Sequence, residues 1–262
     1  MIQHTFSIYH WEYYLIILVR IMGAMAFAPI FGNNMGVTRR ARLFIGIALA
    51  YIMISIHPYE PLNYTTFIEY TVILVKELVV GVTMGFTANI TMSIINMAGQ
   101  FIDREMGFSM VSSFDPTFNS EATITAQFYN MLVVIIMLCS NMHYFIISAL
   151  ADSFYLIPIG GAKVDAGTLY DVMLEYISTY FVIALRICLP CMIATIIVSV
   201  VLGVLAKTAP QMNMFVLGIQ LKIFAGFAVL FVTMQFLPTV TMYVYEQMQD
   251  IVEKVIQVFV VH

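Results

Sequence analysis

The chain has 262 residues, of which 61% are hydrophobic and only 10% are charged. Because soluble domains carry roughly a quarter charged residues, this composition excludes an ordinary soluble protein. The net charge of −4 argues against nucleic acid as a partner. We therefore predict an all-α membrane protein that forms a single domain over residues 1–262.

Apolar segments recur along the chain, and a membrane span needs about 20 mostly apolar residues. Six segments are candidate spans, at residues 13–31, 43–57, 70–98, 126–157, 176–205 and 218–245. The second is short, and the third, fourth and fifth are long enough to tilt, kink or protrude. The opening residues, MIQHTFSIYHWEYYL, lack a basic start and a small-residue cleavage site, so we predict no signal peptide.

Basic residues orient the predicted spans, because they favour the cytoplasmic side. The sequence NNMGVTRRAR carries Arg39, Arg40 and Arg42 without an acid, so we expect this loop in the cytoplasm. Counting spans places the loop at residues 206–222 on the same side. That second loop holds four further candidate residues: Pro210, Gln211, Asn213 and Lys222.

A central segment, residues 103–121, is too polar for a membrane helix and too apolar for an ordinary solvated loop. By the span count it is cytoplasmic, yet it holds four acids against the single Arg104. Its soft apolar residues and a glycine are the candidate gate residues: Met106, Gly107, Phe108, Met110, Phe114 and Phe118. Non-helical backbone at membrane depth is tolerated only where protein or water surrounds it. The segment is therefore either a re-entrant or interfacial connector, or a loop that lines or blocks a conduit.

Several charged residues interrupt the apolar segments, among them Arg20, Lys76, Glu77 and Arg186. Facing lipid at a helix centre costs such a charge about 2.5–3.5 kcal/mol on insertion scales, so we expect these side chains to face protein, water or one another. They either pair between helices or subunits, or serve catalysis or transport. The sequence contains no HExxH, GxSxG or phosphate-binding glycine loop, and its five histidines are scattered. We therefore predict no enzyme, metal or other cofactor.

Two further patterns concern packing. Gly81 and Gly85 have the GxxxG spacing that lets membrane helices approach closely, although such pairs are frequent by chance. Residues 246–262 predict a C-terminal amphipathic helix, which lies either on the outer surface or against a partner. Its apolar face consists of Met248, Ile251, Val252, Val255 and Phe259.

Five stretches in order resemble the FliR family of flagellar export-gate proteins and its relatives in virulence type III secretion. They are VRIMGAMAFAPIFGNNMGVTRRARLFIGIALA, KELVVGVTMGF, AGQFIDREMGFSMVSSFDP, NMHYFIISALADSFYLIPIG and LGVLAKTAPQMNMFVLGIQLKI. The resemblance covers residues 19–236. One departure is Gln220, since many members of the family place a proline shortly after the glycine.

The resemblance implies an export-gate subunit of the bacterial inner membrane and flagellar basal body, not an enzyme. The family's chain resembles a FliP–FliQ fusion, with about six long hydrophobic helices arranged as hairpins in a helical assembly. Its implied partners are several FliP-like and FliQ-like subunits, FlhB and FlhA, and unfolded export substrates.

In this family the part of the central segment at residues 106–121 is held to project into the conduit as part of a plug, and we expect the acids of this part near the wet face. The four charged residues Arg20, Lys76, Glu77 and Arg186 are then expected at contacts between subunits or helices. Two alternatives stay open. One is the homologous virulence injectisome subunit, and the other is a small-solute secondary transporter, which would show broken helices in two related halves.

Overall fold

The computed structural model describes residues 8–29, 38–56, 64–108, 124–162, 166–209, 211 and 213–260. Within these residues every regular element is helical. The α-helices are α1 (Ile8–Phe27), α2 (Arg39–Ile56), α3 (Phe67–Met106), α4 (Ile124–Cys139), α5 (His143–Leu156), α6 (Ala166–Thr208), α7 (Met214–Thr233) and α8 (Leu237–Phe259). The predicted all-α fold of long apolar helices is confirmed.

Three helical stretches of the described chain are long and apolar enough to cross a membrane: Phe67–Met106, Gly167–Thr208 and Met214–Phe259. A fourth is added if α4 and α5 together count as one broken span. This is fewer than the six predicted spans. α2, for example, does not count as a span, because it has only 18 residues and three of them are arginines in its first turn.

The fourth predicted segment, 126–157, is two helices and not one. α4 and α5 are separated by the turn at residues 140–142, where Asn141 has a φ of 58°. Asparagine tolerates this left-handed conformation better than most residues with a side chain. Both flanking helices are apolar, so composition alone does not reveal the break between them.

The last predicted span is interrupted by a 3-10 turn, Met234–Phe236, just before α8. Pro238 explains the interruption, because proline has no amide hydrogen and cannot bond to the carbonyl four residues earlier. The Leu237 N–H instead bonds to the Met234 carbonyl, three residues back. Pro190, by contrast, lies inside α6, which continues as one helix of 43 residues.

Both predicted loops are shorter than their predicted ranges. α3 stays helical through residues 103–106, so the central segment begins with a turn of helix. Residues 206–222 are likewise helical at both ends, because α6 ends at Thr208 and α7 begins at Met214.

Contacts divide the chain into two compact units. Unit one comprises Met1–Thr91, Asn141–Tyr176 and Glu246–His262, and unit two comprises Met92–Ser140 and Ile177–Tyr245. α3, α6 and α8 each contribute residues to both units.

The core of unit one depends on a close approach of α1 to α3. A Cβ atom added at Gly81 would overlap the carbonyl oxygen of Arg20, and one added at Gly85 would overlap the carbonyl oxygen of Ala24. The contact positions advance together along both helices, so α1 and α3 run in the same direction here. The GxxxG pair therefore faces α1.

The C-terminal helix α8 buries its apolar face within unit one. Its five predicted face residues are at most 5% exposed: Met248, Ile251, Val252, Val255 and Phe259. Lys254 lies outside this face, where its Nζ is 3.0 Å from Asp250 and 3.8 Å from Glu175. This chain's own residues thus cover the apolar face of the helix.

Replacing Gly81 by alanine should destabilise the protein, because the new methyl group forces α1 away from α3. Overpacking of this kind costs about 1–3 kcal/mol. The melting temperature of the detergent-solubilised chain, followed by fluorescence-detected size exclusion after heating, should therefore fall. Gly203→Ala is the matched control, since a Cβ at Gly203 in α6 meets nothing within 4 Å. Equal melting temperatures for the two variants would contradict the close approach.

Candidate functional site

A fully buried ion pair joins α1 to α3. Arg20 and Glu77 are both 0% exposed, and Arg20 Nε donates to Glu77 Oε2 at 2.5 Å. Taking two charges out of water costs several kcal/mol per ion, and their attraction compensates only if their other donors and acceptors are also satisfied. The remaining contacts of both side chains therefore decide whether the pair can exist.

Two backbone carbonyls at the C-terminal end of α5 accept hydrogen bonds from the other two nitrogens of the guanidinium. Arg20 Nη1 donates to the Ser153 carbonyl oxygen at 3.0 Å, and Nη2 donates to the Ile157 carbonyl oxygen at 3.2 Å. The last carbonyls of a helix carry partial negative charge, so a cation is favoured there, although the Ser153 carbonyl also accepts the Ile157 N–H at 2.9 Å. The guanidinium carbon also lies 4.3 Å from the centroid of the Phe154 ring, in cation–π contact.

The second oxygen of Glu77 binds the turn that follows α5. The Gly160 N–H donates to Glu77 Oε1 at 2.9 Å. Gly160 has a φ of 78°, a conformation that residues with a Cβ rarely adopt. One ion pair thus holds α1, α3, the end of α5 and the following turn together.

The other two charged residues predicted with this pair lie elsewhere. Lys76 is partly exposed, and Arg186 is exposed on α6 in unit two. The structure brings together Arg20 and Glu77 and leaves Lys76 and Arg186 outside their hydrogen-bond network.

Sequence reasoning did not identify the contributions of Ser153, Ile157 and Gly160. Two of these residues act through backbone carbonyls, which residue type does not mark. The only signal was the sequence Pro158-Ile159-Gly160, a turn signature at the end of an apolar helix.

A second cluster lies in unit two, at the base of the central segment. α3 ends in a Schellman turn: the Gly107 N–H bonds to the Arg104 carbonyl at 3.2 Å, and the Phe108 N–H bonds to the Asp103 carbonyl at 2.9 Å. Gly107 has a φ of 87°, which the turn requires and which glycine adopts at little cost. This glycine therefore stops the helix where the central segment leaves it.

The carboxylate of Asp103 caps the helix on the other side of the central segment. The Thr125 N–H donates to Asp103 Oδ2 at 2.9 Å, and the Thr125 hydroxyl donates to Asp103 Oδ1. Asp103 is 0% exposed and Thr125 is 4% exposed. Asp103 precedes residues 106–121, whose acids we expect near the wet face, and its carboxylate instead serves an unpaired amide at the start of α4.

Close packing reinforces this junction. Gly99 of α3 leaves no room for a Cβ beside Ala126 of α4. Together with the Asp103–Thr125 hydrogen bonds, this contact holds the two ends of the central segment to one another.

Two candidate gate residues pack against α7. Met106 is 0% exposed, and a Cβ added at Gly226 would lie 2.5 Å from its Cγ. The ring of Phe108 meets that of Phe227 edge to face, with centroids 5.7 Å apart. The remaining predicted gate residues, Met110, Phe114 and Phe118, lie outside the described residues.

The predicted cytoplasmic residues are mostly at helix starts. Arg39 and Arg40 are exposed in the first turn of α2, with Arg42 partly exposed beside them. Asn213 caps α7 by accepting the Val216 N–H at 3.4 Å. Gln211 is exposed, Lys222 is partly exposed in α7, and Pro210 lies outside the described residues.

Among the residues that the structure describes, no group of three or more His, Cys, Asp or Glu side chains is arranged to hold a metal ion. The charged groups of the two clusters instead bind backbone amides, carbonyls and each other. Their arrangement serves structure and positioning, with hydrogen bonds completed inside the chain.

The fold and the two buried clusters define an all-α membrane protein whose buried charges tie helices together. The model of the family described as "Bacterial export proteins, family 1" matches residues 11–248. The chain belongs to this family.

Individual relatives agree with the family match. The flagellar biosynthetic protein FliR of Bacillus subtilis is 29% identical over 84% of this chain and 85% of its own length. FliR of Pectobacterium carotovorum is 27% identical over 91% of this chain and 90% of its own length. The surface presentation of antigens protein SpaR of Shigella flexneri is 26% identical over 61% of each chain.

Replacing Glu77 by alanine should destabilise the protein by about 3–5 kcal/mol, because Arg20 then stays buried without its counter-ion. We expect a large loss of folded protein in a detergent extract, measured by size-exclusion yield. Lys76→Ala changes the neighbouring, partly exposed charge and is the matched control, with little expected loss. The double variant Arg20→Met, Glu77→Leu should recover part of the yield, since neither charge remains. A Glu77→Ala yield equal to that of Lys76→Ala would rule out the structural role of the pair.

Proposed function

We propose that this chain is a structural subunit of the flagellar type III protein export gate, which helps to form and seal the conduit for unfolded flagellar proteins. The observation that carries the proposal is the family match over residues 11–248, together with relatives named as flagellar biosynthetic proteins. Those two relatives cover 84% and 91% of the chain, against 61% for the Shigella protein. This difference favours the flagellar role over the injectisome alternative.

Exposed apolar surface supports a role inside a membrane assembly. α6 and α7 present large apolar side chains that the described residues leave exposed, including Val200, Val204, Phe224 and Phe231, each more than 60% exposed. Apolar surface of this extent calls for lipid or partner subunits. We propose the bacterial inner membrane at the flagellar basal body as the location, with several FliP-like and FliQ-like subunits, FlhB and FlhA as partners.

The seal itself is proposed for the central segment. A conduit wide enough for an unfolded chain would leak ions unless it is closed at rest. Residues 109–121 supply apolar and small side chains suited to excluding water, among them Met110, Phe114 and Phe118. Their described base supports this role, because the Asp103–Thr125 contact holds both ends of the segment together.

Lys76 and Arg186 are the charged residues that we assign to contacts between subunits. Both lie outside the buried ion pair, and Arg186 is exposed within a long apolar stretch of α6. A charge at such a position is costly against lipid, so we assign these two residues to contacts with neighbouring subunits.

Co-expression should test the assembly directly. Native mass spectrometry of this chain, tagged and expressed with FliP-like and FliQ-like proteins from the same genome, should show one stable complex containing all three. The Arg186→Gln variant should lower the yield of that complex while leaving the yield of the free chain unchanged. A stable chain that ignores both partners would refute the export-gate role and return the buried charges to consideration as a transport site.

Loss of the seal should appear as ion leakage. Deleting residues 109–120 keeps the Schellman turn and Thr125, and should raise the resting leak of the assembled gate in liposomes. Thr125→Ala removes one donor to buried Asp103 and should raise the leak less. Its matched control is Thr208→Ala, an exposed threonine whose hydroxyl bonds only within its own helix. Unchanged leakage after the deletion, in a gate that still assembles, would refute the seal.

A further inference from the structure

Unit one contains an apolar groove bordered by α1, α2, α3, α5 and α8. Its empty volume is about 440 Å³, including space open to the outside. The lining includes Ala28, Leu49, Ala88, Phe145, Leu150 and Val252, and the rest of its lining residues are also apolar or glycine. A wall without polar side chains is poorly suited to water and well suited to hydrocarbon.

Arg42 lies about two turns before the groove residue Leu49, on the same face of α2. Its Nη1 donates to the carbonyl oxygen of Ala26 at 3.4 Å, and Ala26 is two residues before the groove residue Ala28. Its Nε and Nη2 atoms are buried and have no hydrogen-bond partner in the described part of the chain. Burying donors without a partner is costly, so these two nitrogens call for an acceptor that the described residues do not supply.

The geometry of the two unpartnered nitrogens indicates which chemical group they can bind. The Nε–H and one Nη–H of arginine form a planar fork that matches two oxygens of a phosphate or carboxylate group. Arg39 and Arg40 are exposed in the same first turn of α2, and residues 38–50 contain no acid. The surroundings of the fork therefore favour an anion.

We propose that this site binds an anionic phospholipid, with its phosphate on the Arg42 fork and part of one acyl chain in the apolar groove. A ligand that fits only the arginine fork, or only the groove, leaves the other half of the site unoccupied. A free phosphate ion leaves the groove without a function, and a neutral hydrophobic molecule leaves the buried nitrogens unpaired. The proposal does not depend on the role of the chain in export.

The test is native mass spectrometry of the full-length chain in detergent, titrated with phosphatidylglycerol or with phosphatidylcholine of the same acyl chains. We expect retained phosphatidylglycerol adducts and much weaker phosphatidylcholine adducts. Arg42→Gln should lower phosphatidylglycerol affinity about fivefold, the effect of one basic side chain near an anionic lipid. Lys207→Gln removes an exposed positive charge elsewhere and should leave that affinity unchanged.

A second pair of variants tests the groove. Leu49→Trp adds bulk to a lining residue and should weaken phosphatidylglycerol binding, whereas Ile47→Trp on the exposed side of α2 should not. Equal retention of both lipids, or equal effects of Arg42→Gln and Lys207→Gln, would overturn the proposal. Competition by millimolar inorganic phosphate together with an inert Leu49→Trp would overturn it as well, in favour of a free-anion site. If Arg42→Gln fails to fold, the comparison of the two lipids on the unaltered chain still tests whether the site prefers an anionic lipid.

Discussion

The buried Arg20–Glu77 ion pair is the constraint on which the packing of unit one depends. Both charged side chains are fully buried, so each needs the other as a direct partner, and this brings α1 against α3. Residues four and eight positions after Glu77 lie on the same face of α3. At that helix separation only glycine fits there, and those positions are Gly81 and Gly85. The donors left on Arg20 then require the carbonyl end of α5, so one pair of charges determines the neighbours of three helices.

Part of this site could be predicted from the sequence. Charges and a glycine pair stand out in an apolar chain, and both were identified as points of helix contact. The sequence also indicates that Glu77, and not its neighbour Lys76, faces α1, because only Glu77 shares a helix face with Gly81 and Gly85. The partners from α5 could not be predicted in this way, since backbone carbonyls look the same at every residue and their meeting with Arg20 is a long-range contact.

The fold class followed from composition, but the breaks between helices did not. A helix that is apolar on all sides has no periodic pattern, so the separation of α4 from α5 at residues 140–142 leaves little trace in the sequence. At Asp103 the sequence does give a signal, but the signal is misleading. An acid after an apolar run is typical of a solvated loop, yet this carboxylate is buried because the first amides of α4 need an acceptor. For Asp103, a local hydrogen-bonding need overrides the average polarity of the segment.

The two buried carboxylates of α3 solve the same physical problem at different points of the chain. Away from water, the N–H groups of a turn and of the first turn of a helix have no partner within a helix, and each one left unpaired is costly. In unit one, Glu77 accepts the N–H of Gly160 in the turn after α5. In unit two, Asp103 accepts the N–H of Thr125 at the start of α4. A charged acceptor makes a stronger hydrogen bond than a neutral one, so each acid stabilises one backbone N–H at its break. A chain with only 10% charged residues can therefore interrupt its helices where α3 presents a carboxylate.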